Sequence, residues 1–95
     1  MAIVRKEIEP REYRGDFSGA KAILETLPQE DGFVLKKWGD IFFREAQAHT
    51  DLTAAEKALA KARAAEAAFP HARYKHEARL LEKKISQWIA EHNPS

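Results

Sequence analysis

The sequence feature that most constrains the fold is the alanine-rich run AAEKALAKARAAEAAF, which extends from Ala54 to Phe69 and is ended by Pro70. The run contains neither glycine nor proline, and alanine is the strongest helix former, so it predicts the most secure helix of the chain. An isolated helix of this length is marginal in water. The helix therefore needs neighbours, and its small side chains suit a middle layer that other helices approach closely.

Apolar periodicity and helix-end signals predict three further helices, which gives an all-α fold. Asp16 can cap the first segment, the second should begin near Asp31, and Pro28 and Pro70 end two segments. The third helix should start near Asp51 or at Thr53, where Thr53 and Glu56 offer a capping box. Short connections favour an antiparallel array of about four helices. The predicted helices are Asp16 to Leu27, Asp31 to Ala48, Asp51 to Phe69 and His71 to His92. The predicted core contains Trp38, Phe42, Leu59, Leu81 and Ile85.

The chain length of 95 residues indicates one helical domain, which we expect over residues 15–95. Residues 1–14 differ from the rest, because charged side chains crowd them and Pro10 interrupts their weak apolar pattern. They predict a flexible arm, or an edge strand that becomes ordered on a partner.

Composition excludes several classes of protein. The net charge of +1 gives no overall attraction to nucleic acid or to acidic membranes, so any anion site must be local. The absence of cysteine excludes disulfides and thiolate metal sites and fits a cytoplasmic protein. No apolar run approaches the roughly 18 residues of a membrane span. We expect a cytoplasmic protein with no membrane contact.

An internal repeat links the first and third predicted helices. The segment DFSGA at residues 16–20, followed by Leu24 and Leu27, aligns thirty-five residues later with DLTAA at 51–55, followed by Leu59 and Ala62. A period near 34 is typical of stacked helix-turn-helix repeats. These segments resemble the second helix of a tetratricopeptide repeat. Trp38, Gly39 and Phe42 resemble the first helix of such a repeat, and Pro70 resembles its closing proline. The resemblance covers about one and a half repeats and implies a helical-repeat fold.

Residues with catalytic or metal-binding chemistry form no recognisable set. The four histidines include no pair at the i, i+4 spacing that brings two imidazoles to one metal. No glycine-rich phosphate loop and no nucleophile motif is present, and the carboxylates form no convincing catalytic pair. We therefore expect no enzyme activity, no cofactor and no metal.

The second predicted helix has an outward face that mixes aromatic and charged side chains. Exposed aromatic residues beside cations commonly anchor protein interfaces. In the repeats that the chain resembles, the first helix of each unit lines a groove that holds a peptide, and the resemblance implies the same for this face. The alternative is that Phe33 and Phe43 pack on the fourth helix or on the N-terminal arm. The candidate partner-binding residues are Phe33, Lys36, Asp40, Phe43 and Arg44.

Two other charged features allow more than one interpretation. Glu45 points among apolar positions of the second helix. The structural interpretations are an intramolecular pair with a Lys or Arg, or simple exposure at the end of the stack; the functional ones are an anchor for a basic partner, or a general base with a weakly raised pKa. Lys75, Arg79 and Lys83 form a ridge on the fourth helix, which is either a solvated face or an anion-binding surface.

These patterns favour a protein-interaction module, such as an adaptor or small regulatory subunit, that binds a partner protein or peptide, or a second copy of itself, through the second helix. The alternative function is a helical nucleic-acid-binding protein that uses the ridge of the fourth helix.

Overall fold

The computed structural model describes residues 3–93, so residues 1–2 of the predicted arm and 94–95 of the predicted domain lie outside it. The described residues are helical and contain no strand, which confirms the all-α class. A π-helical turn at Val4–Ile8 precedes five α-helices in that range. They are α1 (Glu9–Tyr13), α2 (Phe17–Leu24), α3 (Gly32–His49), α4 (Leu52–Ala68) and α5 (Ala72–His92).

Aspartate side chains cap the first turns of α2, α3 and α4, as their sequence positions predict. Asp16 accepts a hydrogen bond from the Gly19 amide, and Asp51 accepts one from the Ala54 amide. Asp31 accepts from the amides of Phe33 and Val34. These carboxylates satisfy amides that lack partners within the helix, so the starts of three helices follow from local sequence.

Helix α2 ends at Leu24 rather than at the predicted Leu27. Residues 25–27 turn instead, and the Gln29 side-chain amide donates to the carbonyl oxygens of Leu24 and Leu27. The Gln29 oxygen accepts from the indole nitrogen of Trp38 at 3.0 Å. The early end thus arises because Gln29 satisfies the last carbonyls of α2 and connects them to α3.

The N-terminal segment differs most from expectation, because its described part is helical and the predicted edge strand is wrong. Pro10 lies in the first turn of α1, where its missing amide hydrogen is not needed. Ile8 is fully buried against α2 and α3, in a cluster that includes Leu24, Val34 and Ile41. Burial of this side chain fixes the segment on the rest of the chain, and α1 is an additional helix beyond the four predicted.

The alanine-rich helix α4 packs against both α3 and α5. Its buried residues are all alanines, and Gly39 of α3 lies close to the backbone of Ala58 and Ala62. Of the five predicted core residues, Trp38, Leu81 and Ile85 are buried. Phe42 and Leu59 are only partly buried and pack at the edge of the core. Small side chains on α4 thus let two neighbouring helices approach it closely.

Candidate functional site

A groove runs along the side of α3 that faces away from α4, and it consists of three adjoining clefts. Helix α3 contributes to every cleft, the N-terminal turn and α1 border one side, and α5 borders the other.

The central cleft, of about 420 Å³, is lined by Glu12, Tyr13, Lys37, Asp40, Phe43, Arg44, Gln47, Leu81 and Lys84. The cleft near the start of α3, of about 160 Å³, is lined by Val4, Phe33, Lys36, Lys37, Asp40 and Glu77. The cleft near the end of α3, of about 280 Å³, is lined by Phe43, Gln47, Lys84, Gln87, Trp88 and Glu91. Shared lining residues make these clefts one continuous surface, hereafter the groove.

A buried carboxylate holds α1 against the groove side of α3. Glu12 is only 3 % exposed, and both of its oxygens are paired with cations of α3. Oε1 lies 3.3 Å from the Lys37 ammonium, and Oε2 lies 2.6 Å from Nε of Arg44. The Arg44 guanidinium also lies over the Tyr13 ring, 5.0 Å from its centroid. Because a buried charge is costly without partners, these contacts specify where α1 docks.

Lys37 is the cation with the most carboxylate neighbours in the groove. Its ammonium lies within 3.3 to 3.7 Å of oxygens from Glu9, Glu12 and Asp40. Burial alone would lower the pKa of Lys37, but Asp40 and Glu12 act against it and leave that pKa above 10.5. Lys37 is therefore charged at neutral pH, and it stabilises a network that joins α1 to α3.

The structure brings all five candidate partner-binding residues into the groove. Phe33, Lys36 and Asp40 line the cleft near the start of α3, and Asp40, Phe43 and Arg44 line the central one. Both phenylalanines also contact α5, as the intramolecular alternative predicts. The Phe33 ring meets Tyr74 edge to face at 4.9 Å, and the Phe43 ring meets Trp88 at 6.2 Å. The two aromatic residues thus shape the groove while keeping part of their surface open.

Three large apolar side chains are exposed among residues 3–93, and two of them, Tyr13 and Phe33, line the groove. Tyr13 is 63 % exposed in the central cleft, and Phe33 is 49 % exposed in the cleft near the start of α3. Leu80, at 46 %, lies on α5 outside the three clefts. Exposed aromatic side chains beside charged groups, such as Tyr13 and Phe33, are typical of an interaction surface.

Sequence reasoning missed the groove residues contributed by α1 and α5. Glu12 and Tyr13 lie in the segment that the sequence predicts to be an arm, although the i, i+4 spacing of Val4 and Ile8 is a helical signal for the turn that precedes α1. Lys84 lies off the apolar stripe of its helix and carries no local signal. Only the packing of α1 and α5 beside α3 gives these residues a shared surface.

Two of the three residues of the predicted ridge on α5 contact Glu66 of α4. The Lys75 ammonium donates to the Glu66 carbonyl at 2.8 Å, and Arg79 pairs with the Glu66 carboxylate. Lys83 is exposed. Burial and a shared proton with Glu66 raise the pKa of Glu82, while the same shared proton and Arg79 lower the pKa of Glu66. The ridge thus lies beside two carboxylates, which weakens its field for anions.

Glu45 has the intramolecular partner that one interpretation predicted. Its Oε1 accepts from the Lys21 ammonium of α2 at 2.7 Å, and both side chains are largely buried. The Lys21 ammonium also lies 4.7 Å from the centroid of the Phe42 ring. Glu45 therefore joins α2 to α3, on a side of α3 that contributes nothing to the groove.

Among residues 3–93, no three histidines or carboxylates are grouped so that they could hold a metal ion. No helix in the described range is long and apolar enough to cross a bilayer. In comparisons with protein-family models, with curated proteins and with solved structures, nothing matched the chain.

Proposed function

We propose that this protein is an interaction module, an adaptor or small regulatory subunit, that binds a segment of a partner protein in the groove along α3. The observation that carries the proposal is the exposure of Tyr13 and Phe33 in that one groove. Fully burying an exposed aromatic side chain contributes about 1.5 to 3 kcal/mol. An occupant that covers the open surface of both residues gains part of that amount from each, which offsets part of the cost of association.

The dimensions of the groove suit a peptide segment. Groove residues on α3 run from Phe33 to Gln47, which corresponds to about 21 Å at 1.5 Å per residue. An extended chain covers that length with roughly six residues at 3.3 Å each. The groove is therefore long enough for several side chains of a partner to contribute to recognition.

The proposal includes an antiparallel, helical-repeat-like arrangement of the kind that tetratricopeptide repeats have. Two contacts support it. Phe33, at the start of α3, meets Phe69, which follows the end of α4, and the Asp51 amide before α4 donates to Ala46 near the end of α3. In addition, the groove takes its α-helical lining from α1, α3 and α5, and none from α2 or α4. That alternation is expected where the first helix of each repeat faces the ligand.

Selection of random dodecapeptides on phage, with the immobilised protein as bait, tests the proposal. Peptides recovered on the wild type should bind Tyr13→Ser and Phe33→Ser at least about tenfold more weakly, because each variant removes exposed apolar surface. Glu56→Ser on α4, which contributes no residue to the groove, is the matched control and should bind normally.

Circular dichroism on each variant separates lost binding from lost folding. If Phe33→Ser unfolds, Tyr13→Ser alone is sufficient for the test, since Tyr13 is the more exposed of the two side chains. Sedimentation of the wild type shows whether a second copy of the chain occupies the groove instead. Peptides that bind all variants equally, or a chain that is monomeric and recovers no peptide, would refute the proposed function.

A further inference from the structure

The groove holds hydrogen-bond donors that the protein itself does not use, while its central carboxylates are already engaged. Glu12 pairs with Lys37 and Arg44, and Asp40 lies 3.6 and 3.7 Å from the ammonium groups of Lys36 and Lys37. These two carboxylates line the central cleft, and both are compensated by cations of α3.

Two cations of the same cleft remain available to a ligand. The Lys84 side chain is exposed and has no ion pair or hydrogen bond to any residue in the described range. The Arg44 side chain is 49 % exposed, and it pairs with Glu12 through Nε. A guanidinium has five N–H donors, so the terminal nitrogens of Arg44 can still bind an acceptor. The central cleft thus presents donors from α3 and α5 while its own two acids are already paired, and the exposed acids of the groove, Glu77 and Glu91, line only the end clefts.

We propose that the occupant of the groove is an extended internal segment of a partner protein, with an Asp or Glu side chain that contacts Arg44 and Lys84. This inference rests on the proposed function and specifies its partner class. An apolar side chain of the same segment packs on Tyr13 or Phe33. A basic segment would instead face Arg44 and Lys84 at the centre of the groove, and like charges at an interface are unfavourable.

The shape of the groove favours an internal segment over a chain terminus. The clefts at the two ends of α3 continue the central cleft in both directions, since each shares lining residues with it. A chain can therefore enter at Phe33 and leave at Trp88. A side-chain carboxylate at the centre of such a segment reaches the donors without requiring the chain to end there.

Adjacent lysines on α5 provide a matched pair of charge reversals. Lys84 lines the central cleft, whereas Lys83 lies outside all three clefts, and both side chains are exposed. The variants Lys84→Glu and Lys83→Glu change the net charge of the protein equally. Any difference in peptide binding between the two variants therefore reports the position of the charge and not the net charge of the protein.

The test selects random dodecapeptides, displayed on phage without a free carboxyl terminus, on the wild type and on both variants. We expect the wild type and Lys83→Glu to select peptides that combine acidic and apolar residues. These peptides should bind Lys84→Glu about tenfold more weakly or worse, and selection on Lys84→Glu should shift towards Lys and Arg.

The other outcomes overturn the inference in distinguishable ways. Neutral or basic peptides that depend on Tyr13 and Phe33 would refute the acidic partner and leave the proposed function intact. Acidic peptides that bind both charge reversals equally would place the acid site away from Lys84. The absence of any peptide that depends on the groove would refute the inference together with the proposed function.

Discussion

Helix α3 has two faces that are built differently. Its α4 side brings Gly39 against the backbone of Ala58 and Ala62, where a methyl group added to Gly39 would lie 3.4 Å from the Ala58 carbonyl oxygen and 3.5 Å from the Ala62 nitrogen. Its groove side carries Lys37 and Arg44, which pair with Glu12 of α1, and Asp40, which pairs with Lys37 of α3 itself. The aromatic surface of Tyr13 and Phe33 stays open beside these ion pairs. One face is thus filled by close contact, and the other is kept open by charge.

This difference shows how a small helical protein can maintain a groove. Close packing at Gly39 and the α4 alanines lets the two helices approach each other, and Leu35 of α3 packs beside it on Ala65 and Phe69. Charged residues on the opposite side are costly to bury, so they hold α1 beside α3 rather than allowing the groove to close. Perturbing each face should therefore have different consequences for stability and for binding.

The largest effect is expected where the close contact is broken. Gly39→Leu forces a branched side chain against α4 and Leu81, and we expect it to reduce the free energy of unfolding by about 3 kcal/mol. Chemical denaturation monitored by circular dichroism measures the change. Gly39→Ala should lower the free energy of unfolding much less. Its methyl group would lie 3.2 Å from the flexible Leu81 side chain, which can shift, and alanine favours the helix more than glycine does. Equal losses in both variants would contradict the close-packing account.

A smaller loss is expected when the groove network is broken. Lys37→Ala leaves the buried Glu12 carboxylate with Arg44 as its remaining ion-pair partner. We expect this variant to lower the free energy of unfolding by about 2 kcal/mol, which is less than the cost of removing the sole partner of a buried charge. The matched control is Lys36→Ala, because the Lys36 ammonium pairs with the partly exposed Asp40 at 3.6 Å. This variant should lower the free energy of unfolding by less than about 0.5 kcal/mol.

The Lys37 contribution also has a defined pH dependence. Its folded-state pKa is raised above 10.5, so the stabilisation is complete below pH 10.5 and is lost as the pH rises through the folded value. The wild type should therefore lose stability in this alkaline range more steeply than Lys37→Ala. Parallel pH profiles, or equal losses for the Lys36 and Lys37 variants, would show that the network does not hold α1.

The smallest effect concerns charges that lie outside the groove, at the contact of α4 and α5. Burial and Glu66 raise the pKa of Glu82 above 4.5, so the stability contributed by Glu82 is present below pH 4.5 and is lost as the pH rises through its folded value. Glu82→Gln removes this decline. The stability difference between variant and wild type should grow in favour of the variant above pH 4.5, as measured by thermal unfolding. Peptide binding in the groove should not change.

Helix positions were predictable from the sequence because their signals are local. Asp16, Asp31 and Asp51 cap the helices that they were expected to start, and the apolar stripe of α5 indicated that Leu81 and Ile85 would be buried. The signal for α1 was hidden by its charges. Glu12 looked like part of a solvated arm, because nothing nearby in the sequence shows that Lys37 and Arg44 would neutralise it.

The candidate site was predictable only in part, and for a related reason. The aromatic and charged face of α3 follows from helical geometry, so Phe33, Lys36, Asp40, Phe43 and Arg44 could be grouped from their spacing. The walls of the groove could not be predicted, because Tyr13 and Lys84 meet that face only through contacts between residues far apart in the chain. Periodicity determines which side of a helix is apolar. Tertiary packing decides which other helices border the exposed side of a helix, because the position of those helices depends on ion pairs that buried charges form with residues elsewhere in the fold.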